Sequence, residues 1–591
     1  MNSRSKLLVL LILAFIVPPT TYAQETEEQR QELEKNTLAL LNDVSSAAYG
    51  LKLPENRLFI ISNAADLLWT FDEKRARTLY WEALNTLNAI NPPARTTGET
   101  PSNTDREKML QAYFSTFALR QRLLRQIARR DAQLALDMLR ATRQVPPRQL
   151  GPNFPFPDDR HLEQEIATAV VAHDPAQALQ LARQSLAKGL TLELLNLTQQ
   201  LNEKDSEKAS QFAGDIIGKL ETTNVAADFS ASTIALSLIE ASRVPDKAAE
   251  LRPAGMPKIL KLNDEQKRDL VELLTNAALS ATANSNLLNE ISYVMPEIQQ
   301  FFPERRAALD RKLATFNETL TKRQRDQNTY NTLIRAGMPE EIVRNATAAS
   351  VQERPFLYEQ AAIIAVARGR TDSFRELVNK EIPDDGERKK VLDFVDAEEI
   401  STAAARKQLD ELRKLLPKIR SREERARAMA ELALMLKEKG DDTEAATLLD
   451  EAATLVKIDF NDDQRTNALL ALLCAYAIVD PPKAFALAER TVDHANSQIS
   501  FLLLLDRVVK SGAVKKSEIV LEQPGILPLD LLVFKYGKGV AALAKADFNH
   551  TKALADRFER NELRLMAQLM IVKGILQPEA PTTPTPAVVQ H

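Results

Sequence analysis

Glycine is scarce in this chain, with 16 among 591 residues where average usage of about 7% would give roughly 41. Glycine provides the left-handed turns, bulges and phosphate-binding loops on which large sheets and most nucleotide sites depend. Its shortage argues against large β architectures and most dinucleotide-binding folds. Cysteine occurs once, as Cys474, which excludes an intrachain disulfide and a cysteine-based zinc site. The apolar residues around Cys474 predict a small buried side chain.

Histidine is also sparse, and its spacing does not suit a metal. No two histidines stand three or four residues apart, so the helical motif of zinc proteases is absent. His161 precedes Glu163 and Glu165, and these acids are interpreted as charges at a helix start. The five histidines are His161, His173, His494, His550 and His591.

Other chemical motifs are missing or incomplete. The chain has no Gly-x-Ser-x-Gly elbow. The run Asp459-x-Asn461-x-Asp463 begins like a calcium loop but lacks its glycine and its final glutamate, which predicts a turn and a helix cap instead. The run Gly537-Lys538-Gly539 lacks the other glycines of a phosphate loop and is interpreted as a flexible helix junction.

Pairs and runs of charged residues are interpreted as helix caps and solvated faces. Adjacent carboxylates on a helix point to different sides, so their spacing does not indicate a glycosidase pair. The sequence therefore identifies no catalytic, cofactor-binding or metal-ligating residue, and it implies no cofactor. The charged segments in question are Asp158-Asp159, Asp384-Asp385, Glu398-Glu399 and Lys322-Arg323-Gln324-Arg325.

Basic residues are not in excess, since 77 Lys and Arg face 81 Asp and Glu for a net charge of -4. This balance argues against a nucleic-acid partner. With 44% hydrophobic and 27% charged residues, the composition is that of a soluble globular protein. Beyond the N-terminus no apolar run approaches the roughly 18 residues of a membrane-spanning helix.

The N-terminus has the pattern of a secretory signal. Arg4 and Lys6 precede an apolar run over residues 7–17, and Ala23 ends a small-residue cleavage site before Gln24. We therefore expect a signal peptide at residues 1–23 and a periplasmic or extracellular mature protein.

A unit recurs in the helical periodicity that dominates the rest of the chain. An apolar helix ends at an aspartate, and a second helix follows with alanine four residues later, an apolar residue seven later and a small or apolar residue eleven later. Aspartate caps a helix start, and these offsets lie along one helical face, where small residues let helices approach closely. The aspartates are Asp72, Asp131, Asp174, Asp205, Asp441, Asp480 and Asp547, the last followed by Thr551 in place of alanine.

One copy, residues 426–455, resembles a tetratricopeptide repeat (TPR). Leu432, Ala433 and Leu436 occupy the packing positions of its first helix, and Ala445, Leu449 and Ala452 those of its second. The spacing between aspartates is irregular, so the expected fold is an all-α, irregular, TPR-like α-solenoid of stacked helical hairpins. The alternative is an irregular all-α protein in which the aspartate–alanine pattern reflects coincidental caps.

The expected organisation follows the proline-rich breaks and one long polar helix. Residues 301–334 show a narrow apolar stripe that becomes wholly polar at 321–329, where the helix is expected to project or break. The segments are a signal peptide at 1–23, a helical region at 24–144 with a loop at 91–103, a proline-rich loop at 145–159, hairpin repeats at 160–300, a long helix or connector at 301–340, C-terminal repeats at 341–576 and a disordered proline-rich tail at 577–591.

Aromatic residues cluster in the first hairpin. Both tryptophans, Trp69 and Trp81, occur there, together with Phe59, Phe71 and Tyr80. They form either the core of that hairpin or a recognition surface, because Trp and Tyr are enriched at interface hot spots. Phe154 and Phe156 in the proline-rich loop have the same two interpretations.

The architecture favours an exported, non-enzymatic scaffold that binds partner proteins or peptides in a concave groove. A cell-envelope enzyme acting on peptidoglycan or another glycan is the alternative, and a structural spacer is a third. An enzyme predicts a deep pocket with converging acids or histidines, whereas a scaffold predicts exposed aromatic residues. The oligomeric state stays open.

Overall fold

The structure, a computed structural model, is all-α in the part of the chain that it describes, apart from one β-ribbon of two short strands. The predicted fold class is confirmed. The described residues are 27–90, 103–142, 159–243, 258–282, 286–458, 463–509, 514–521 and 529–577. The predicted signal peptide, the loops at 91–102 and 145–158, Phe154, Phe156, Asp459 and Asn461 of the calcium-like run, His591 and the tail after residue 577 lie outside them.

The chain divides into two compact units. The terminal unit combines residues 27–90 with residues 349–577, and the central unit comprises the described residues between 103 and 348. The sequence-based region 24–144 therefore contributes to both units. The first three helices of the terminal unit are α1 (Glu27–Ala47), α2 (Pro54–Leu68) and α3 (Glu73–Ile90).

Stacked hairpins build the central unit. From α6 to α10, each helix packs against its successor and against the next helix but one, which is the contact pattern of a helical-repeat array. The helices are α4 (Asn103–Ala128), α5 (Ala132–Ala141), α6 (Asp159–Val170), α7 (Pro175–Lys188), α8 (Glu193–Lys204), α9 (Ser206–Glu221), α10 (Phe229–Ala241), α11 (Asp264–Ser280), α12 (Asn286–Glu290), α13 (Met295–Phe301), α14 (Pro303–Thr319), α15 (Lys322–Ala336) and α16 (Pro339–Ala348).

The rest of the terminal unit is a second row of hairpins. Its first helices, α17, α19, α21, α23, α25 and α27, contact one another in that order. The elements are α17 (Arg354–Ala367), α18 (Thr371–Glu381), α19 (Asp385–Ala405), α20 (Leu409–Leu415), α21 (Arg422–Glu438), α22 (Asp442–Leu455), α23 (Asp463–Val479), α24 (Pro481–Val509), β1 (Val514–Lys515), β2 (Glu518–Ile519), α25 (Leu529–Ala546), α26 (Phe548–Asp556) and α27 (Asn561–Leu576). The strands β1 and β2 pair antiparallel, with Val514 opposite Ile519.

The seven predicted aspartates form the hinges of their hairpins. Each backbone N–H donates to a carbonyl of the preceding helix at 2.6–3.0 Å, and each backbone carbonyl accepts from the N–H four residues later at 2.9–3.3 Å. Each carboxylate also accepts from the N–H three residues later, at 2.8–3.4 Å. One residue therefore ends the first helix and caps the second.

The residue four positions after the hinge is completely buried in all seven copies, including Thr551. The residue eight positions after is buried as well, with at most 4% of its surface exposed. The predicted position seven is less regular, because Leu181, Leu448 and Leu487 are only half-buried. The packed stripe therefore follows offsets 4, 8 and 11.

The TPR-like copy is confirmed as a helical hairpin. α21 and α22 pack together across Gly440 and Asp441, and all six residues named from the sequence are buried. Gly440 adopts a φ of 87°, a left-handed conformation that glycine reaches without a steric penalty.

The expected long helix at 301–334 is broken, and the break lies earlier than the polar segment. α14 ends at Thr319, and Thr321 starts α15 with a capping box in which Thr321 and Gln324 bond each other's backbone N–H groups. The polar residues 321–329 are thus mostly helical, because the cap outweighs their lack of an apolar face.

The interpretation of Gly537-Lys538-Gly539 as a flexible junction is wrong. All three residues lie inside α25, where Gly537 and Gly539 are buried. Gly574 of α27 crosses at this point, and a Cβ built on Gly574 would lie 3.2 Å from the Gly537 carbonyl oxygen. The glycines therefore mark a close approach between two helices.

The first and last helices of the described residues meet within the terminal unit. α27 packs against α1 and α2 as well as α25 and α26. The buried Glu518 carboxylate accepts the backbone N–H groups of Lys52 and Leu53 at 2.6 and 2.9 Å. Asn56 donates to the Ile519 carbonyl at 2.7 Å and accepts from another N–H of the ribbon segment. The ribbon ties the first helices to the last.

Replacing Ala178 by leucine is expected to destabilise the protein by about 1–3 kcal/mol, because a larger side chain four residues after Asp174 has no room between the helices. Urea unfolding measures the change. The control is Ala176→Leu, two residues away on the same helix and exposed, which is expected to be neutral. Equal effects of the two substitutions would contradict close packing at the hinge.

The Gly574→Ala variant is expected to loosen α27, because the added Cβ meets the Gly537 carbonyl of a buried helix. Gly218→Ala is the matched control, since Gly218 lies in α9 with nothing within 4 Å of its Cβ position. Alanine there is expected to stabilise α9 by about 0.4–1 kcal/mol. Hydrogen exchange is expected to become faster in the peptides of α27 in Gly574→Ala and slower in those of α9 in Gly218→Ala.

Candidate functional site

The predicted aromatic cluster divides into a buried part and an exposed part. Phe59 and Tyr80 lie in the core of the first hairpin, with 3% and 0% of their surface exposed. Phe71 and Trp81 remain 42% and 41% exposed, and Trp69 is half-buried. The core interpretation is therefore confirmed for Phe59 and Tyr80, whereas recognition by the exposed members stays a prediction.

Trp69 lies at one edge of the exposed face of α3. Its ring centroid is 6.0 Å from that of Tyr80, and the Arg77 guanidinium lies 4.9 Å from the Trp69 centroid. Arg77 also bonds Glu73 at 2.8 Å, which holds the guanidinium in place. Trp81 follows Arg77 by one helical turn, so the two tryptophans flank one cation.

Tyr49 lies at the opposite edge of this face. Its hydroxyl donates a hydrogen bond to Glu82, and 49% of its surface is exposed. Burial and the bond to Glu82 raise the pKa of Tyr49 to about 12, so the hydroxyl stays protonated at neutral pH. Tyr49 lies in a short 3-10 turn between α1 and α2, outside any helical periodicity, and the sequence analysis missed it.

The aromatic surface, defined as Tyr49, Trp69, Phe71 and Trp81, lies beside a face of α3 that carries both neutral polar and basic side chains, including Arg77. Thr78 and Asn85 are exposed next to Trp81, one turn before and one turn after it. The opposite side of α3, with Ala76 and Ala83 completely buried, packs against α2. The arrangement presents aromatic rings together with neutral polar groups and the Arg77 cation.

The histidines do not assemble a metal site in the part of the chain that the structure describes, where no group of three or more potential ligands occurs. His161 is 3.6 Å from Glu193, while Glu163 pairs with Lys188 and Glu165 pairs with Arg125.

His550 packs within the helices of the terminal unit. Its ring stacks on Phe485 at 3.6 Å, and its Nε2 is 3.1 Å from Glu489. These contacts join α26 to α24.

Three of the charged residues singled out in the sequence have structural partners. Asp384 caps α19 through the Glu387 N–H at 2.7 Å. Glu399 pairs with Arg375 at 2.5 Å, and Asp159 pairs with the buried Arg120 at 2.7 Å.

The prediction for Cys474 is wrong, because this residue is half-buried. It lies on α23 between Leu473 and Ala475, both of which are completely buried.

The best-formed grooves of the described residues are open to solvent. One of about 330 Å³ lies between α7 and α9, and its charged residues Arg183 and Asp215 pair at 2.7 Å. A second, of about 440 Å³, lies along α1. Neither groove brings a histidine together with acids. The first is lined by Arg183, Leu186, Ala187, Asp215, Gly218, Lys219 and Thr222, and the second by Gln31, Glu34, Lys35, Leu38, Ala39 and Asn42.

The perturbed acid Asp450 belongs to a contact between hairpins. It accepts hydrogen bonds from Tyr476 at 2.9 Å and from Lys483 at 2.7 Å, which joins α22 to α23 and α24. Burial opposes ionisation of Asp450, but these hydrogen bonds outweigh it and hold its pKa below the ordinary value. The same hydrogen bond, against an opposing effect of burial, raises the pKa of Lys483. The hydrogen bonds that cause these shifts stabilise the contact of α22 with α23 and α24.

No protein-family model matches this chain, and no curated protein matches it. Among solved structures, it is similar to a circular tandem repeat protein with novel repeat topology and enhanced subunit contact surfaces, at 12% identity over 89% of this chain and 98% of that one, with a TM-score of 0.16.

Two further structures show the same level of likeness. The APC/C hetero-tetramer Cut9–Hcn1 matches at 12% identity over 81% of this chain and 93% of that one, with a TM-score of 0.19. Naa15/Naa10 bound to HypK-THB matches at 15% identity over 93% and 79%, with a TM-score of 0.15. Scores this low carry no conclusion about function. Within the described ranges, no helix is both long and apolar enough to cross a bilayer.

Acidification is expected to weaken the terminal unit in part through Asp450. Because the folded pKa is lowered, the stabilisation is present above the unfolded pKa, near 4, and is lost as pH falls through the folded value. In the Asp450→Asn variant, stability is therefore expected to fall less between about pH 6 and pH 3. Urea unfolding across this range tests it, with Glu451→Gln as the control, because Glu451 makes neither hydrogen bond. If the stability of Asp450→Asn fell with pH as steeply as that of the wild type, the assignment to Asp450 would be wrong.

Proposed function

We propose that this chain is an exported helical-repeat scaffold that binds a protein or peptide partner through its aromatic surface. The observation that carries the proposal is the exposure of Tyr49, Phe71 and Trp81, each of which keeps 41–49% of its surface accessible on the first hairpin or on the turn that precedes it. Large aromatic side chains beside arginine are the residue types that dominate interface hot spots.

The way the first hairpin is held supports the same proposal. α2 is buried on nearly all sides, and the ribbon segment around Glu518 fixes the turn that leads into it. A binding surface on a rigid element loses little conformational entropy when a partner docks. The concave groove expected from the sequence stays a prediction, and the aromatic surface is the narrower site that these contacts support.

Export is the second part of the proposal and depends on the signal pattern at residues 1–23. The mature protein is expected to begin at Gln24 and to be recovered outside the cytoplasm. N-terminal sequencing of the native protein after cell fractionation measures both. A chain that keeps Met1 and stays with cytoplasmic markers would contradict export without affecting the binding proposal.

The Trp81→Ala variant is expected to lose partners that the wild-type chain retains, because truncation removes the most exposed tryptophan of the surface. The control is Phe114→Ala, a substitution of an equally exposed aromatic residue, at 41%, in the central unit. Quantitative pull-down from envelope and secreted extracts with the three baits measures the effect. A partner held equally by all three would remove the aromatic surface from the proposal.

A weakening of at least tenfold is expected once a partner is identified and its affinity for the three proteins is measured, since hot-spot truncations cost about 2 kcal/mol or more. Circular dichroism of Trp81→Ala is expected to match the wild type, because the Trp81 side chain is not part of the core. A loss of helicity would show that the substitution acts through folding, and Asn85→Arg, on the same exposed face, then replaces it.

A further inference from the structure

Residues 518–521 of the ribbon segment are held by the terminal unit in the way that a protein holds a bound peptide. Ile519, Val520 and Leu521 are buried, each with at most 4% of its surface exposed. Polar side chains of α2 and of α27 bond to the main chain of this stretch. Side chains that bond an extended main chain are typical of peptide recognition, whereas within a folded domain secondary structure usually satisfies these groups.

Asn56 of α2 bonds the main chain of this segment with both ends of its amide. Its Nδ2 donates to the Ile519 carbonyl at 2.7 Å, and its Oδ1 accepts from the Leu521 N–H at 2.8 Å. From α27, the Glu562 carboxylate accepts the Ile519 N–H at 3.0 Å. Asn56 and Glu562 are themselves buried, with 0% and 1% of their surface exposed. These bonds involve only main-chain groups of the segment, so they hold an extended chain independently of its side chains.

A second set of contacts selects one side chain. The Glu518 carboxylate accepts the N–H groups of Lys52 and Leu53 at 2.6 and 2.9 Å, and it lies 3.3 Å from the Asn56 Nδ2. Successive backbone N–H groups that point to one place beside a helix start form a site for an anion. The first position of the bound segment therefore requires a carboxylate, and the three buried positions after it require aliphatic side chains.

Two features of the bound segment favour its release. Lys516 and Ser517, which lead into it, have φ angles of 48° and 64°, a left-handed conformation that is unfavourable for residues other than glycine. In the described part of the chain, every hydrogen-bond partner of the buried Glu518 carboxylate is a neutral N–H group. A carboxylate that is buried without a cation regains its hydration on release. A segment of another protein that lacks the strained turn makes the same contacts at a lower cost.

We propose that the slot, defined as the N–H groups of Lys52 and Leu53 with the side chains of Asn56 and Glu562, is a peptide-binding site that the chain fills with its own residues 518–521. Its external ligand is an extended segment of a partner protein in which a glutamate precedes three aliphatic residues. The chain's own segment competes with this ligand as an internal inhibitor at a high effective concentration. The slot uses none of the four residues of the aromatic surface, so the inference does not depend on the proposed function.

The first experiment tests whether an added peptide displaces the internal segment of the unaltered chain. A capped hexapeptide with the sequence of residues 516–521 is added in excess, and hydrogen exchange of the protein is followed by mass spectrometry. The fragment that covers residues 514–521 is expected to exchange roughly fivefold faster or more, because displaced amides lose their protection, while α21 is expected to keep its rate. Unchanged exchange of residues 514–521 at about 1 mM peptide would overturn the proposal, since displacement by mass action is expected at that excess.

The matched control is the same hexapeptide with glutamine in place of its glutamate. Glutamine keeps the shape but loses the charge that strengthens the bonds to the two N–H groups, so this peptide is expected to need about ten times the concentration for the same effect. Equal potency of the two peptides would show that the slot does not recognise a carboxylate and would overturn the assigned ligand class.

The second experiment measures affinity with a fluorescein-labelled hexapeptide and anisotropy. The Glu518→Ala chain is expected to bind it about tenfold more tightly than the wild type, because its internal competitor is weakened. Adding Asn56→Ala to this chain is expected to abolish the gain. Ser517→Gly has the opposite sign: it relieves the left-handed strain, so the internal segment holds better and the peptide binds more weakly than to the wild type. Equal affinities for all four chains would overturn the proposal, and the first experiment stays decisive if Glu518→Ala does not fold.

A second copy of this chain is the competing occupant of the slot. Light scattering during gel filtration is expected to show a monomer for the wild type and for Glu518→Ala at every concentration tested. A dimer whose fraction rises with protein concentration and falls when the hexapeptide is added would assign the slot to segment exchange between copies. That outcome would overturn the proposal of an external partner.

Discussion

Each of the seven hairpins that turn at a hinge aspartate depends on one close contact, made by the residue four positions after that aspartate. The aspartate fixes the exit of the first helix and the entry of the second through three hydrogen bonds, so the two axes have little freedom to separate. The next helical turn then meets the neighbouring helix at a fixed distance. Only alanine, or threonine in one copy, stands there, and its surface is completely buried in every copy.

Small polar residues at the end of the same stripe accept hydrogen bonds from the neighbouring helix. Eleven residues after Asp131, Thr142 accepts a hydrogen bond at 2.9 Å from the buried Arg120 of α4, and Arg120 also reaches the Leu139 carbonyl at 2.8 Å. Eleven residues after Asp174, Ser185 accepts from Gln164 at 3.0 Å. A buried polar group costs free energy unless it is paired, so these bonds favour one register of neighbouring hairpins over its alternatives.

The hinges could be predicted from the sequence because they are local: cap, alanine and apolar stripe all fall within about twelve residues. Features that depend on distant contacts could not. The meeting of Lys52 and Leu53 with Glu518 joins residues more than 450 positions apart, and no periodicity announces it. The role of Gly537 depends on the crossing of Gly574, which lies on a different helix. The sequence also could not divide the aromatic cluster into core and exposed residues, because a single helical step of about 100° separates the buried Tyr80 from the exposed Trp81.

The two tryptophans differ in how far their side chains are covered by the rest of the hairpin. Trp69 contacts the Tyr80 ring and the Arg77 guanidinium, so packing within the hairpin accounts for its position. Trp81 stands on the solvent side of α3 between the exposed Thr78 and Asn85 and keeps 41% of its surface accessible. The same hairpin closes the terminal unit through α2 and α27, which makes its outer face rigid. An exposed tryptophan on a rigid element would lose little entropy on binding and gain a large apolar contact, which is the physical reason that the proposed function assigns binding to Trp81.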